Sequence, residues 1–388
     1  MKSFYITTPI YYINFSPHIG HAYTSIACDI LARYNKLLGN DVYFLSGTDE
    51  HGQKVEQAAN NQSLKPQDFA DKMSVQFKDL ISFLNCETND FIRTTETRHK
   101  KAAQALWNKL LDNNQIYLSN YEGWYSIRDE AFYSENELIK KDGKFIAPSG
   151  ADVEWIKEES YFFKLSEWQD RLIDFYNNNP KSILPESRFN EVLSFIKSGL
   201  KDLSVSRTTF AWGVPVPNNP KHVMYVWIDA LCNYLTSIGY PDENSANFKN
   251  YWPALHIVGK DILRFHSVYW PAFLMAAGLE PPSRVFAHGW WTNEGEKISK
   301  SLGNVIDPYE IVSKYGLDQI RFFLFREVPF GNDGDFSKEA IAQRLNADLS
   351  NNYGNLVQRI CSFVKKNCDS TIVNNFDNNE DDKILLES

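Results

Sequence analysis

Blocks of apolar and polar positions divide the first third of the chain into alternating strands and helices. A β-branched and aromatic run at residues 4–9 predicts a strand, and a helical pattern follows at residues 18–38. A second strand is predicted at residues 41–45, with helices at 66–84 and 97–113. Because strands alternate with helices, we predict a parallel α/β sheet that binds its ligands at the carboxyl ends of the strands.

The pattern changes near residue 115, where short, aromatic and turn-rich segments continue to residue 163. This change predicts an inserted domain, with helical stretches at 166–176 and 186–199 after it. Apolar runs at 223–227, 255–258 and 285–288 then predict that the strand and helix alternation resumes. Beyond Lys297 the chain is predicted to be mainly helical, with amphipathic helices at 338–366.

Composition and charge narrow the class of protein. The chain has 388 residues, more than one average domain, with 43% hydrophobic and 23% charged residues. Its apolar runs are too short to span a bilayer and its N-terminus lacks a secretory pattern, so we expect a cytoplasmic protein without a membrane partner. The five cysteines contain no CxxC pair. A net charge of −9 argues against indiscriminate binding to nucleic acid but allows a local basic groove.

Two histidines stand at a predicted junction of loop and helix just after the first strand. His18 and His21 are three residues apart and could donate hydrogen bonds to a triphosphate, and we expect unpaired helix amides there to favour phosphate as well. Gly20 lets a nucleoside approach the backbone. A pair of surface histidines at a helix start remains the alternative.

A second basic motif lies near residue 300. Lys297 and Lys300 flank Ile298 and Ser299 on a glycine-bounded stretch that could close over a polyphosphate. Taken alone, a solvated lysine turn is the more economical interpretation.

Together these motifs, HIGH and a KMSKS-like loop, resemble the signature of class I aminoacyl-tRNA synthetases. The resemblance is to the methionine members and extends from Phe4 to at least Arg359, carried by the segments TTPIYYINFSPHIGHAYT, FLSGTDEHGQKV, VWIDALCNY, HIVGKDILRFH and KISKSLGNVIDP. Ile298 stands where the family usually has Met, which leaves both lysines in place. The resemblance implies activation of L-methionine by ATP to an adenylate, followed by transfer to the 3′ end of a tRNA.

The resemblance also implies roles for individual residues. The residues that would act on the ATP phosphates are His18, His21, Lys297 and Lys300. Mg²⁺ would bind the same phosphates. Gly20 and Gly259 would lie against the nucleoside, and Asp261 would accept hydrogen bonds from the ribose hydroxyls. Asp49 would pair with the methionine ammonium, supported by Arg207. The methionine pocket would further contain Pro9, Ile10, Tyr12, Trp227, Ala230, Leu231, Tyr234, Ile262 and His266. From the residues alone, surface ion pairs and a helix packing stripe are the alternatives.

The inserted segment differs from many relatives at the positions of a zinc knuckle. Ser126 and Asp129 stand where a CxxC is usual after Gly123, and residues 147–151 supply no thiols. Serine and aspartate are poor substitutes for structural thiolates, so we expect no structural zinc and no other protein metal site. The segment is also too short for the editing domain of the isoleucine, valine and leucine enzymes, which favours methionine.

These patterns and the resemblance divide the chain into five parts. We predict a Rossmann-like first half at residues 1–114, an inserted connective domain at 115–222, the second half at 223–296, a KMSKS loop and stem-contact region at 297–346, and the start of a helical anticodon-binding domain at 347–388. In the last part the resemblance points to Asn355 and Arg359 for the anticodon, and a solvated helix end is the alternative. The sequence stops before such a bundle closes, so we expect a truncated, monomeric form that makes the adenylate but charges tRNA poorly.

Two other classes of protein remain open on the motifs alone. Small nucleotidylyltransferases share the HxGH logic, but they are generally shorter and lack the GTDEHG and WIDALCNY segments. A non-catalytic RNA-binding relative would need lost motif residues, and none is lost here. No DNA partner is expected.

Overall fold

The computed structural model describes residues 2–126, 128, 131–133, 135–141, 143–298, 303–372 and 380–387. Asp129 and Lys300, which carry predictions, lie outside these ranges, and so does the side chain of Lys297. Within the described ranges every helix is too short or too polar to cross a membrane.

The N-terminal part of the chain alternates strands with helices. Its elements are β1 (Ser3–Thr7), β2 (Tyr11–Tyr12), α1 (Ile19–Leu37), β3 (Asp41–Asp49), α2 (Gln53–Asn61), α3 (Pro66–Phe83), β4 (Asp90–Arg93) and α4 (Thr97–Asp112). The predicted helices α1, α3 and α4 are confirmed to within one residue at each end. Helix α2 is not predicted from the sequence, because it follows Gly52 at φ +104° and has no side-chain cap.

The middle of the chain is built mainly on an antiparallel sheet. Its elements are β5 (Ile116–Ser126), β6 (Ala131–Tyr133), β7 (Ile139–Lys141), β8 (Lys144–Ile146), β9 (Glu154–Phe163), α5 (Gln169–Asn178), β10 (Ile183–Leu184), α6 (Glu186–Lys197), β11 (Leu203–Ser204) and β12 (Ser206–Arg207). Strands β5 and β9 pair along most of their length, with β6 and β11 on either side. Strand β10 lies within the predicted inserted segment at 115–222, but it pairs with a strand of the parallel sheet described below.

Parallel strands return in the following segment. Its elements are β13 (Val223–Met224), α7 (Val226–Leu231), α8 (Asn233–Thr236), α9 (Ala246–Tyr251), β14 (Leu255–Gly259), α10 (Trp270–Ala276) and β15 (Arg284–His288). The predicted strands at 255–258 and 285–288 are confirmed, whereas the run at 223–227 forms a strand only at Val223–Met224. This short strand pairs antiparallel with β12 and is not part of the parallel sheet. A short apolar run fits a buried helix as well as a strand, and α7 begins within this run at Val226.

The described strands include a seven-stranded parallel sheet in the order β10-β15-β14-β1-β3-β2, with β4 also on β3. Helices cover both faces. On one face α4 and α10 bury Trp107 and Trp270, and on the other α1 and α3 bury Tyr23 and Phe77. The predicted α/β fold class is confirmed, and β1, β3, β14 and β15 all end at the same edge of the sheet.

The C-terminal part is mainly helical, as predicted. Its elements are β16 (Trp291–Asn293), β17 (Glu296–Lys297), α11 (Pro308–Tyr315), α12 (Leu317–Arg326), β18 (Gly334–Phe336), α13 (Lys338–Arg344), α14 (Asn355–Asn367) and α15 (Glu380–Glu387). A π-helical stretch, Leu345–Gly354, joins α13 to α14. Arg359 on α14 is exposed beside exposed Leu356 and Phe363.

Candidate active site

A cavity of about 1640 Å³ opens at the carboxyl edge of the parallel sheet. It collects most of the site residues predicted from the sequence, although they are spread from residue 9 to residue 266. These are Pro9, Ile10, Tyr12, His18, Gly20, His21, Asp49, Arg207, Trp227, Ala230, Leu231, Tyr234, Gly259, Asp261, Ile262 and His266. The cavity is large enough for a nucleotide and an amino acid together.

The two histidines of the HIGH segment lie side by side at the start of α1. His18 is the N-cap residue, and its Nδ1 accepts a hydrogen bond from the Gly20 amide at 3.1 Å. The His18 amide in turn donates to Nδ1 of His21 at 3.0 Å, and the ring centroids are 4.0 Å apart. Because Nδ1 of both rings accepts a hydrogen bond, the proton of each neutral ring is on Nε2. Each ring can therefore offer one Nε2–H donor.

Burial and the neighbouring His18 ring lower the pKa of His21 well below its usual value. His21 is therefore neutral near pH 7, and any donation to a phosphate comes from a neutral imidazole. Neutral donors orient an anion without the full charge of a lysine.

The expectation that unpaired helix amides receive phosphate here is wrong. The Ile19 amide donates to the Ile306 carbonyl at 3.1 Å, and the Gly20 amide is taken by His18. The first amides of α1 already have partners, so the imidazoles are left as the donors at this helix start. The Ile306 contact also shows that the chain beyond the lysine loop returns to α1.

Both ends of the lysine loop border the cavity. Ile298 lines it on one side of residues 299–302, and Val305 lines it on the other. The backbone at Lys297 belongs to β17, which pairs with β16. The described residues on both sides of 299–302 therefore border the cavity that contains His21.

The Gly259 side of the cavity has a tight backbone turn and an acid. A Cβ at Gly259 would lie 2.5 Å from Oδ1 of Asp261, so a side chain there would displace the carboxylate. Asp261 accepts a hydrogen bond from Trp290 Nε1 at 3.1 Å. Lys260 lies 4.3 Å from the Trp290 ring and pairs with Asp333 at 2.6 Å. This half of the cavity suits a ribose, whose hydroxyls would compete with Trp290 for Asp261.

Aromatic rings wall the opposite side of the cavity. Trp227 stacks on Phe265 with centroids 3.6 Å apart and planes 7° from parallel. His266 Nδ1 lies 3.0 Å from the Ile262 carbonyl, which can only accept, so this nitrogen carries the proton. Tyr234 then donates its hydroxyl to His266 Nε2 at 2.7 Å. Burial lowers the pKa of His266 to about 4, so the ring is neutral at physiological pH. An apolar, aromatic slot of this kind suits a thioether.

Two charged residues complete the described site. Asp49 is the last residue of β3, lines the cavity and is 7% exposed. Arg207 is buried and donates to Ser204 Oγ at 2.7 Å and to the Ser206 carbonyl at 2.6 Å. Its guanidinium also lies 4.0 Å from the Tyr225 ring. Arg207 thus joins the inserted sheet to the cavity wall, and its role toward Asp49 stays a prediction.

The zinc prediction concerns the inserted sheet. Ser126 is buried at the end of β5, and Trp124 packs against Trp155 and Phe145 at centroid distances of 5.4 and 5.1 Å. Among the described residues, no group of three or more His, Cys, Asp or Glu could hold a metal ion. The absence of structural zinc stays a prediction, because Asp129 lies outside the described residues.

Sequence reasoning missed several residues of the cavity. His288 is the last residue of β15, as Gly259 is of β14, and Gly289 comes next, so their position at a strand end could have identified them. Phe265 and Trp290 carry no comparable signal. Their contacts with Trp227 and Asp261 join residues that are distant in sequence.

The chain matches known proteins over nearly its whole length. A family described as tRNA synthetases class I (M) matches residues 4–144 and 144–361. A methionine–tRNA ligase of Rickettsia conorii is 61% identical over 96% of this chain and 72% of its own length. One from Brucella suis is 56% identical over 100% of this chain and 75% of its own length.

Solved structures of methionyl-tRNA synthetases are also similar to this chain. The Mycobacterium tuberculosis methionyl-tRNA synthetase in complex with methionyl-adenylate matches with a TM-score of 0.94 at 51% identity, covering 100% of this chain and 76% of that one. The apo form of the Mycobacterium tuberculosis protein matches with a TM-score of 0.85 at 48% identity, covering 100% and 74%. By TM-score, the structure of this chain is therefore more similar to the adenylate complex than to the apo form.

Proposed function

This chain belongs to the methionine type of class I tRNA synthetases, and from that premise we propose that it activates L-methionine with ATP and transfers the methionyl group to a tRNA. The proposal is supported chiefly by one observation. Paired Nε2–H donors, an acid beside a close glycine turn and an aromatic slot with an acid at its side all line one cavity. These features suit a triphosphate, a ribose and a methionine respectively.

In the first step the methionine carboxylate attacks the α-phosphorus of ATP in line, forming the P–O bond of the adenylate as the bond to pyrophosphate breaks. His18 and His21 donate to phosphate oxygens from Nε2, and Lys297 and Lys300 neutralise the charge on the leaving pyrophosphate. Gly20 and Gly259 lie against the nucleoside, and Asp261 accepts from the ribose hydroxyls. Mg²⁺ enters with ATP as the counter-ion of its phosphates.

Methionine binds with its ammonium beside Asp49 and its thioether in the aromatic slot. Arg207 supports the ammonium side. The slot is formed by Pro9, Ile10, Tyr12, Trp227, Ala230, Leu231, Tyr234, Ile262 and His266. Sulfur at a ring edge contributes roughly 0.3–1.5 kcal/mol per contact, which favours a thioether over an alkane of equal length.

In the second step a ribose hydroxyl at the tRNA 3′ end attacks the carbonyl carbon of the adenylate, and AMP leaves. Neither step requires a covalent protein nucleophile, so catalysis is positioning and charge stabilisation. We also propose that Asn355 and Arg359 on exposed α14 contact the anticodon, within the five-part division given above. The protein acts as a cytoplasmic monomer without zinc, DNA or a membrane.

Pyrophosphate exchange with each of the twenty amino acids in turn tests this proposal. We expect ATP formation from labelled pyrophosphate only when methionine is present. If none of the twenty amino acids supports exchange, the result would favour a non-catalytic binding module instead. Nucleotidyl transfer to an acceptor other than an amino acid would support a nucleotidylyltransferase.

A further inference from the structure

A carboxylate outside the reacting groups lies buried between two imidazoles. Asp229, on α7, is 0% exposed. Its Oδ2 is 2.6 Å from Nδ1 of His51, and its Oδ1 is 2.7 Å from Nε2 of His99. Because a carboxylate only accepts, each ring holds a proton on the nitrogen that faces Asp229. Both rings are also fully buried.

This cluster joins three elements that meet behind the cavity. His51 lies two residues after Asp49, in the turn between β3 and α2. Asp229 lies on α7 between Trp227 and Ala230, which line the aromatic slot. His99 lies on α4 and contacts His51's partner, Asp229. Asp229 therefore connects the ammonium side of the cavity to its thioether side.

The turn after Asp49 is held on its other side as well. Glu50 receives two hydrogen bonds from Arg93, at 2.7 and 3.0 Å. Its carbonyl accepts from Trp212 Nε1 at 2.5 Å, and the Trp212 ring packs edge-on against His51. With Glu50 fixed to β4, the contact between His51 and Asp229 fixes how far this turn stands from α7.

The charge state of the cluster agrees with its geometry. Burial alone would raise the pKa of Asp229, but the His51 and His99 contacts outweigh burial and hold that pKa well below its usual range. The carboxylate stays ionised throughout the working pH range. It is a permanent acceptor for both imidazoles.

We propose that Asp229, through His51 and His99, is a positioning residue that sets the separation between Asp49 and the α7 wall and thereby the affinity for methionine. The inference rests on the proposed function, because it assigns methionine to this half of the cavity. None of these three residues lines the cavity. The cluster acts by fixing two walls that do.

Amide substitutions test the proposal, because the nitrogen that contacts Asp229 differs between the two rings. Asparagine places an N–H where histidine has Nδ1, and glutamine places one where histidine has Nε2. We expect His51→Asn and His99→Gln to keep the methionine KM within about threefold of the wild type. We expect His51→Gln and His99→Asn to raise the methionine KM about tenfold or more, because a buried acceptor loses its donor. The ATP KM should change less than about threefold in all four variants.

Asp29→Asn is the matched control. Asp29 is also 0% exposed and pairs with Arg33 at 2.8 Å and Arg321 at 2.5 Å, but it does not line the cavity. The control should lower thermal stability without a selective change in the methionine KM.

The outcomes separate the two proposals. A folded wild type without methionine-dependent exchange would refute the proposed function. An active wild type in which asparagine and glutamine behave alike at both positions would overturn the role of Asp229, and so would equal rises in both KM values. Each isostere that restores the hydrogen bond must fold and bind. Loss of folding in His51→Asn and His99→Gln would therefore also contradict the inference.

Discussion

Replacing Asp49 with asparagine should selectively weaken the use of methionine. Asp49 is 7% exposed at the end of β3, so a pair with the substrate ammonium would be largely shielded from water. Two unit charges about 4 Å apart near a protein surface interact by about 4 kcal/mol. Losing one partner of a buried charge pair costs about 2–5 kcal/mol. Taking about 2–4 kcal/mol, we expect kcat/KM for methionine to fall roughly 30- to 1000-fold, since about 1.4 kcal/mol is tenfold.

The assay compares methionine with 4-(methylthio)butanoate, which is methionine without its amino group. Pyrophosphate exchange gives kcat/KM for methionine, and inhibition of that exchange gives the affinity of the analogue. The wild type should bind the analogue much more weakly than methionine. The Asp49→Asn variant should bind the analogue about as well as the wild type does, because no ammonium is present to lose its partner.

Asp261→Asn provides the reciprocal control on the nucleotide side of the same cavity. It should raise the KM for ATP and leave the KM for methionine nearly unchanged. If Asp49→Asn instead weakened methionine and its deaminated analogue equally, the carboxylate would act on the shape of the pocket and the ion-pair argument would be refuted. A change of less than threefold for methionine would refute it as well.

Four further predictions follow from the site geometry. His21→Gln, which can present an N–H at the position of Nε2, should keep adenylate formation within about tenfold of the wild type in single-turnover experiments, whereas His21→Asn should lower it about 100- to 1000-fold; equal losses would refute donation from Nε2. Gly259→Ala should raise the KM for ATP about tenfold or more, because its Cβ would lie 2.5 Å from Asp261 Oδ1; an unchanged KM would show that Asp261 does not bind the ribose. The pKa of His266 in the folded protein, about 4, is below the unfolded value near 6.5, so protonation favours unfolding and its contribution to stability is lost as pH falls between these values. Urea unfolding of the wild type should therefore lose about 1.4 kcal/mol more per pH unit in this window than unfolding of His266→Gln, and parallel slopes would contradict the assignment. Treatment with a chelator followed by excess Mg²⁺ should restore full exchange activity without added zinc, and a requirement for zinc would overturn the prediction of a zinc-free insertion.

The parts of the fold that the sequence predicts well are those with a local pattern. Helices α1, α3 and α4 show their apolar periodicity over four or more turns, so both ends could be placed. The run at 223–227 was predicted only in part, because five apolar residues fit a strand and a buried helix equally. Strand β10 has two residues, and only its pairing with β15 reveals which sheet it joins.

The residues of the candidate site also fall into those that a local sequence pattern predicts and those that it does not. His18, His21 and Asp261 stand in short motifs whose spacing is visible in the sequence. The partner of the Ile19 amide is Ile306, and the partners of Asp229 are His51 and His99. Such pairs are brought together only by the packing of distant elements, so no local sequence pattern predicts them. A lone acid inside the apolar helix α7 was the available hint, because a buried carboxylate requires partners.

The most direct test of the account is a crystal structure of the protein with a non-hydrolysable sulfamoyl analogue of methionyl-adenylate. We expect the ribose hydroxyls to bind Asp261 in place of Trp290 and the ammonium to lie beside Asp49. The thioether should pack against Trp227 and Tyr234, and the sulfamoyl group should lie within hydrogen-bonding distance of His21 Nε2. Density for the analogue outside this cavity, or with its adenosine and methionyl ends exchanged, would contradict the account.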